Sequence, residues 1–193
     1  MRHIALFESF ISEKLYHGNR KGDFPPRMKR FGDCIFLTSN LAFAKDFSGA
    51  DERSEFPDGA IWEVWLKPDV DLCDPMDPKI AKKLDLKGVI EKMISDGYED
   101  ETNGTKFKPV TVSGMKGYDY EDDVEFDVND PADSVYHYLW RIKHGAWRII
   151  ECAPILEAIK KSGYDGFCLL ERGSKNVAIF DENSIREFKK IED

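Results

Sequence analysis

The sequence predicts an α+β domain built of short antiparallel strands and few helices. Three observations carry that class. Ala60–Lys67 alternates cleanly, with Ala60, Trp62, Val64 and Leu66 on one face and Ile61, Glu63, Trp65 and Lys67 on the other. Two apolar runs, Gly166–Leu170 and Val177–Phe180, flank the turn Arg172-Gly173-Ser174 and should pair. Between these strands lie short segments with helical spacing and no sustained repeat. A chain of 193 residues fits one domain and buries roughly 70% of its unfolded surface without staples. At 41% hydrophobic and 12% aromatic it is too rich to be disordered.

The elements follow in order. Ile4–Lys14 sets Ile4, Phe7, Phe10 and Ile11, with Leu15 just beyond, at helical intervals, predicting an amphipathic first helix. Its acids Glu8 and Glu13 argue against a signal peptide, and no apolar run is long enough for a membrane helix. Leu15-Tyr16-His17-Gly18 is a short strand running into a turn. Asn19–Arg30 is a basic loop broken by Pro25-Pro26. Cys34–Thr38 is strand-like, and Ser39 or Asn40 can cap a helix through about Phe47. Pro68 ends the alternating strand, with Val70–Cys73 as a short continuation. From about 77 to 145 the texture changes, giving helices near Lys79–Leu84 and Lys87–Ser95, a polar stretch, an acidic run and a helix begun by Asp130-Pro131. That segment is expected to be an insertion on one edge of a single domain. Pro154–Ser162 is a helix stopped by Gly163.

Charge is local. Asp119–Asp133 holds eight acids and no base and so supplies −8 of the net −9. Global acidity therefore excludes little, and the run is a solvated insertion or a docking surface for a basic partner. Asp122, Asp123 and Asp127 lack the EF-hand pattern, so no metal is expected. Cys34, Cys73, Cys152 and Cys168 have no zinc spacing, and read as reduced small hydrophobes of a cytoplasmic protein. Trp62, Trp65, Trp140 and Trp147 read as packing.

Three segments in order resemble the ADP-ribosyltransferase fold, in its poly(ADP-ribose) polymerase and diphtheria-toxin-like branch. Leu15-Tyr16-His17-Gly18 is similar to the strand bearing that branch's His-Gly pair. Phe31–Ser39 with Asn40–Ser48 resembles its Phe-Gly-x-Gly-Ile-Tyr-Phe-Ala strand and following helix. Lys175–Asp181, continuing through Ile185, resembles its Glu-Tyr-x-Val-Tyr-Asp strand. Gly163-Tyr164-Asp165-Gly166-Phe167 looks like small phage-borne and toxin-like members, for which the host cytoplasm would be the compartment. Together these cover about 60 residues.

The resemblance implies a split antiparallel sheet and a mono-ADP-ribosyltransferase, a glycosyltransferase-class enzyme with NAD as substrate. Its acceptor would be a protein or nucleic acid. His17 would hold the ribose and Gly18 the carboxamide, Phe36 and Phe47 would flank the nicotinamide, and Thr38 and Ser39 would offer hydroxyls. Arg20, in the basic loop, would meet the NAD pyrophosphate. The family's catalytic glutamate position falls on Asn176, which is no general base, so polymer formation is not expected. Glu171, just before the turn, is the nearest carboxylate to substitute; a solvated strand-end charge is its plainer explanation. Two rivals stand beside this reading. One is an NAD-dependent RNA 2′-phosphotransferase, which wants several arginines at the site. The other is a non-catalytic interaction protein acting through its acidic segment.

Overall fold

The computed structural model describes residues 14–24, 34–49, 55–109, 131–171 and 173–192. The expected first helix (apart from Lys14), residues 25–33 of the basic loop and glycine-rich strand lead-in, and the acidic run through residue 130 lie outside these residues.

Seven strands form one mixed sheet: β1 (Leu15–Asn19), β2 (Ile35–Thr38), β3 (Ala60–Leu66), β4 (Leu72–Cys73), β5 (Gly166–Glu171), β6 (Ser174–Ile179) and β7 (Ile185–Lys190). Their order across the sheet is β4-β5-β6-β2-β1-β3-β7. All neighbours are antiparallel except β4 and β5, which pair parallel through Leu72↔Gly166 and Cys73↔Phe167. This corrects two expectations. The sheet is mixed rather than wholly antiparallel, and Val70–Cys73 does not continue β3 but crosses to the opposite edge. A reciprocal clasp holds it there: the Asp165 N–H donates to Asp71 O and the Asp71 N–H donates to Asp165 Oδ2, both at 2.8 Å.

The helices are α1 (Leu41–Ser48), α2 (Pro78–Lys83), α3 (Leu86–Ser95), α4 (Pro131–Lys143), α5 (Trp147–Ile150) and α6 (Ala153–Lys161), with a 3₁₀ turn at Glu182–Ser184. The cap of α1 is Asn40, whose Oδ1 accepts from the N–H groups of Ala42 and Phe43 at 2.9 and 3.3 Å, as orphan donors of a first turn require. Asp77 caps α2 in the same way. Gly163 sits at φ +86° just past α6, the left-handed conformation that ends a helix without strain only in glycine.

Alternation along the strands divides the apolar residues between the two sheet faces. Ile35, Leu37, Val64, Leu66, Val177 and Ile179 form one cluster. The other face carries the helices and a larger cluster containing Leu86, Ile90, Phe107, Ile142, Ile155 and Phe167. Much of the 77–145 segment is thus core: Leu84, Leu86, Ile90, Met93, Phe107, Val135, Tyr138 and Ile142 are all buried there. At about 25 cal/mol per Å² of apolar surface, each such side chain contributes roughly 1.5–3 kcal/mol. No helix among the described residues is long and apolar enough to cross a membrane.

Candidate active site

On the helix-bearing face, Phe36, Thr38 and Asn176 point away from Ile35, Leu37 and Val177 by strand alternation. They line a cavity of about 650 Å³, with walls from β1, β2, α1, β5, β6 and the α4–α5 corner. That volume is in the range of small-molecule and cofactor sites. A second hollow of about 660 Å³, lined by Lys21, Asp58, Ile61, Lys190 and Glu192 among others, has no aromatic ring among its described lining residues.

Of the residues expected at the site, His17, Gly18, Phe36, Thr38, Phe47, Glu171 and Asn176 all line this one cavity. Ser39 and Arg20 are not among its described lining residues. The Ser39 N–H donates to Lys175 O at 3.0 Å, tying the end of β2 to β6. Arg20 turns the other way, with its guanidinium carbon 4.2 Å from the centroid of the Phe56 ring.

His17 stands at the thinnest ladder of the sheet. β1 and β2 register only at Tyr16↔Thr38, whereas β1 runs along β3 for five pairs. Beyond that point the imidazole bridges the strands: Nδ1–H donates to Phe36 O at 2.7 Å. A carbonyl accepts only, so the proton is on Nδ1 and Nε2 carries the lone pair. That Nε2 is buried and has no partner among the described residues. Burial lowers the His17 pKa, outweighing the bond to Phe36, so the ring is neutral at pH 7. By alternation the ring shares a face with Leu15 and lies against Phe24, centroids 5.2 Å apart, and Nε2 is the one acceptor it retains.

Asn176 faces Thr38 on β2 and Leu169 on β5. Glu171, two residues along from Leu169 on the same face, is its diagonal neighbour. The Asn176 Nδ2 donates to Glu171 Oε2 at 2.8 Å, and the buried Oδ1 has no partner among the described residues. Gly18 has a packing explanation that the sequence did not show. A Cβ built there would meet Ala44 O at 1.8 Å, so the backbone of α1 lies directly against β1. The missing side chain is demanded by the helix, whatever the backbone does toward a ligand. Phe47 is 58% exposed at the rim of the cavity and stacks edge-on against Phe43 with centroids 5.1 Å apart. Phe36 meets Trp147 edge-on at 5.5 Å.

Among the lining residues that the sequence reading did not place at the site are Arg141, Trp147, Arg148 and Glu151. Trp147 does pack, yet it also walls the site, and its Nε1 is buried with no partner among the described residues. These residues come from the corner between α4 and α5, turned by Gly145 and closed by the Ala146 N–H on Arg141 O at 2.9 Å. The available signal was Trp147, Arg148 and Glu151 punctuating the apolar pair Ile149-Ile150, with Trp147 and Glu151 one helical turn apart.

Burial pushes the Glu151 carboxyl from 4.5 up to about 7. Asp100 and Glu171 push the same way, and Arg148 opposes them. The folded protein therefore keeps a proton that the unfolded chain has released between pH 4.5 and about 7, and stability falls as pH rises through that window. The displacement corresponds to roughly 3 kcal/mol, reduced to about 1–2 kcal/mol by the partial exposure of the group. Glu151→Gln should accordingly raise the melting temperature by roughly 2–8 °C at pH 8 and leave it near wild type at pH 4.5. Equal shifts at both pH values would contradict a strained carboxylate.

No group of three or more metal-binding side chains occurs among the described residues. None of the four cysteines is in a disulfide, and burial pushes Cys152 and Cys168 up to about 12, so neither is a ready nucleophile at neutral pH. No protein-family model, no curated protein and no solved structure matches this chain.

Proposed function

We propose that the protein is a mono-ADP-ribosyltransferase that takes NAD as substrate and transfers ADP-ribose to a macromolecular acceptor. The observation that carries this reading is the convergence of His17, from near one end of the chain, with Glu171 and Asn176, from near the other, around Phe36 in one open cavity. The finer fold reading, a sheet split between β1 and β2, draws support from the single registered pair there and from the imidazole in the gap.

The chemistry assigns each group a task. His17 Nε2 accepts a hydrogen bond from a ribose hydroxyl and fixes the sugar. Phe36 and Phe47 present aromatic faces to the cationic nicotinamide ring, an attraction of about 0.5–2 kcal/mol that is lost once the ring leaves neutral. As the C1′–N bond breaks, its electron pair departs with nicotinamide and positive charge develops on the ribose. The Glu171 carboxylate, steered by the Asn176 amide, stabilises that charge. Asn176 itself supplies orientation and no base, which limits the reaction to a single transfer.

The test is nicotinamide release from NAD by the purified protein, with and without cell lysate. The expected result is release accompanied by ADP-ribosyl mass on an acceptor. Absence of release under both conditions would refute the reading. A second reading, the RNA 2′-phosphotransferase, is favoured by one observation: Arg141 and Arg148 both line the cavity, and guanidinium groups bind phosphate well. Release that requires added RNA bearing a 2′-phosphate would select it.

A further inference from the structure

We propose that Glu151 is the proton acceptor of this cavity, taking the proton of a hydroxyl nucleophile as that oxygen attacks C1′ of NAD. The proposal rests on the transferase reading above and adds to it the missing base and the acceptor's chemical class.

Three observations lead to Glu151. The β6 position holds an amide, which cannot take a proton. Glu171 already accepts the Asn176 Nδ2 at 2.8 Å, which ties one of its oxygens to a role in orientation. Glu151 lines the same cavity, and no donor among the described residues bonds its carboxyl. It is held at the end of α5 by its own backbone N–H on Trp147 O at 2.9 Å, so its base is fixed while its head group is available. A carboxyl of ordinary acidity is a weak base toward a hydroxyl. One raised to about 7 by burial is ionised at working pH yet basic enough to share the proton.

The surrounding charges select the nucleophile. Arg141 and Arg148 line the cavity with Glu151 and disfavour an arginine or lysine acceptor, which would bring like charge. A carboxylate or phosphate acceptor is already anionic at pH 7 and gains nothing from a base. A hydroxyl, far from ionised at pH 7, gains the most. The step balances as follows: the acceptor oxygen bonds to C1′, the C1′–N bond gives its pair to nicotinamide, and the hydroxyl proton passes to Glu151 and then to solvent.

The charged and titratable groups around Glu151 include Asp100 after α3, Arg141 on α4, Arg148 on α5, Cys152 just before α6, Glu171 on β5 and His17 on β1; the Cys152 thiol, pushed up to about 12, stays protonated throughout. Of these, His17 loses its acceptor nitrogen only below its own lowered range. The rising limb of activity toward pH 7 therefore belongs to Glu151.

The experiment measures nicotinamide and ADP-ribosyl products from NAD in buffer containing methanol, so that water and a simple alcohol serve as hydroxyl probes. The proposal expects the wild-type kcat to rise with pH to about 7 and then level. Glu151→Gln should lose that limb, with kcat at pH 8 lowered ~100-fold and KM within about threefold. Glu151→Asp should keep the limb at a rate lowered at least ~10-fold, and it decides the matter should the glutamine variant not fold. A folded Glu151→Gln with its limb intact and kcat within about threefold would overturn the role of Glu151 and leave the transferase reading standing. So would a Glu151→Asp rate within about twofold of wild type. A wild-type protein that releases no nicotinamide would overturn both.

Discussion

His17→Ala is expected to lower nicotinamide release from NAD by about 100-fold or more, the usual cost of deleting one preorganised hydrogen-bonding group at a charged transition state. The ring has two ends that can be separated. Nδ1–H ties β1 to the Phe36 carbonyl, and Nε2 is buried without a partner among the described residues. Alanine removes both, leaving a buried carbonyl short of its donor at a cost of roughly 1–3 kcal/mol. His17→Asn keeps a donor near the position of Nδ1 and has nothing at Nε2. Its melting temperature should stay close to wild type while its activity falls as far as that of the alanine variant. If both variants retained release within about threefold, His17 would be a strand fastener only. The pH behaviour follows from the same geometry. Because burial lowers the His17 pKa, the folded state binds fewer protons than the unfolded chain just below pH 6.5, and stability declines as pH falls through that range. Protonation also converts Nε2 from acceptor to donor, so a hydrogen bond accepted there is lost in the same acid range.

Gly18→Ala is expected to produce the largest loss of stability of any single methyl added near the site. The new carbon would lie 1.8 Å from Ala44 O, 2.8 Å from Ala44 C and 2.9 Å from the Ser48 nitrogen, all backbone atoms of α1. No rotamer change relieves a clash with main chain. The helix must retreat from β1 by roughly 1.5 Å to restore ordinary contact, which costs on the order of 3 kcal/mol or more. In a domain of this size that is a drop of roughly 6–12 °C in melting temperature. The displaced helix carries Phe43 and Phe47, so the aromatic rim of the cavity moves with it and KM for NAD should rise together with the loss of stability. A Gly18→Ala protein that melts within a degree or two of wild type would mean that α1 does not press on β1 as described.

Elements whose periodicity matched their burial were legible before any coordinates. β3 alternates because one face is core, and Ala60, Val64 and Leu66 are buried as the pattern requires. The helix before Gly163 was legible because glycine in a left-handed turn is a local rule. β7 was invisible: Ile185–Lys190 is an edge strand with Arg186, Glu187, Lys189 and Lys190 outward, and only its pairing with β3 makes it a strand. The destination of Val70–Cys73 was invisible for a related reason. Two residues carry no periodicity, and their parallel partner lies more than ninety positions away. The site divides likewise. His17, Phe36, Glu171 and Asn176 stood in short contiguous motifs, which a sequence displays. Arg141, Arg148 and Glu151 belong to a corner that only tertiary packing turns toward the cavity. The Asn176–Glu171 bond required hairpin register, since the two residues are neighbours through the pairing of β5 with β6.

The claim beneath all of this is that an uncharged imidazole nitrogen waits for a sugar hydroxyl. Nitrogen-15 spectra of histidine-labelled protein, recorded while NAD is added at pH 7.5, read that atom directly. The account predicts that the His17 Nε2 resonance starts at an unprotonated position and shifts upfield in saturable fashion as it accepts a hydrogen bond, with Nδ1 unmoved and the resonances of His137 and His144 unchanged. A His17 Nε2 signal that is already protonated without NAD, or that ignores saturating NAD, would contradict it.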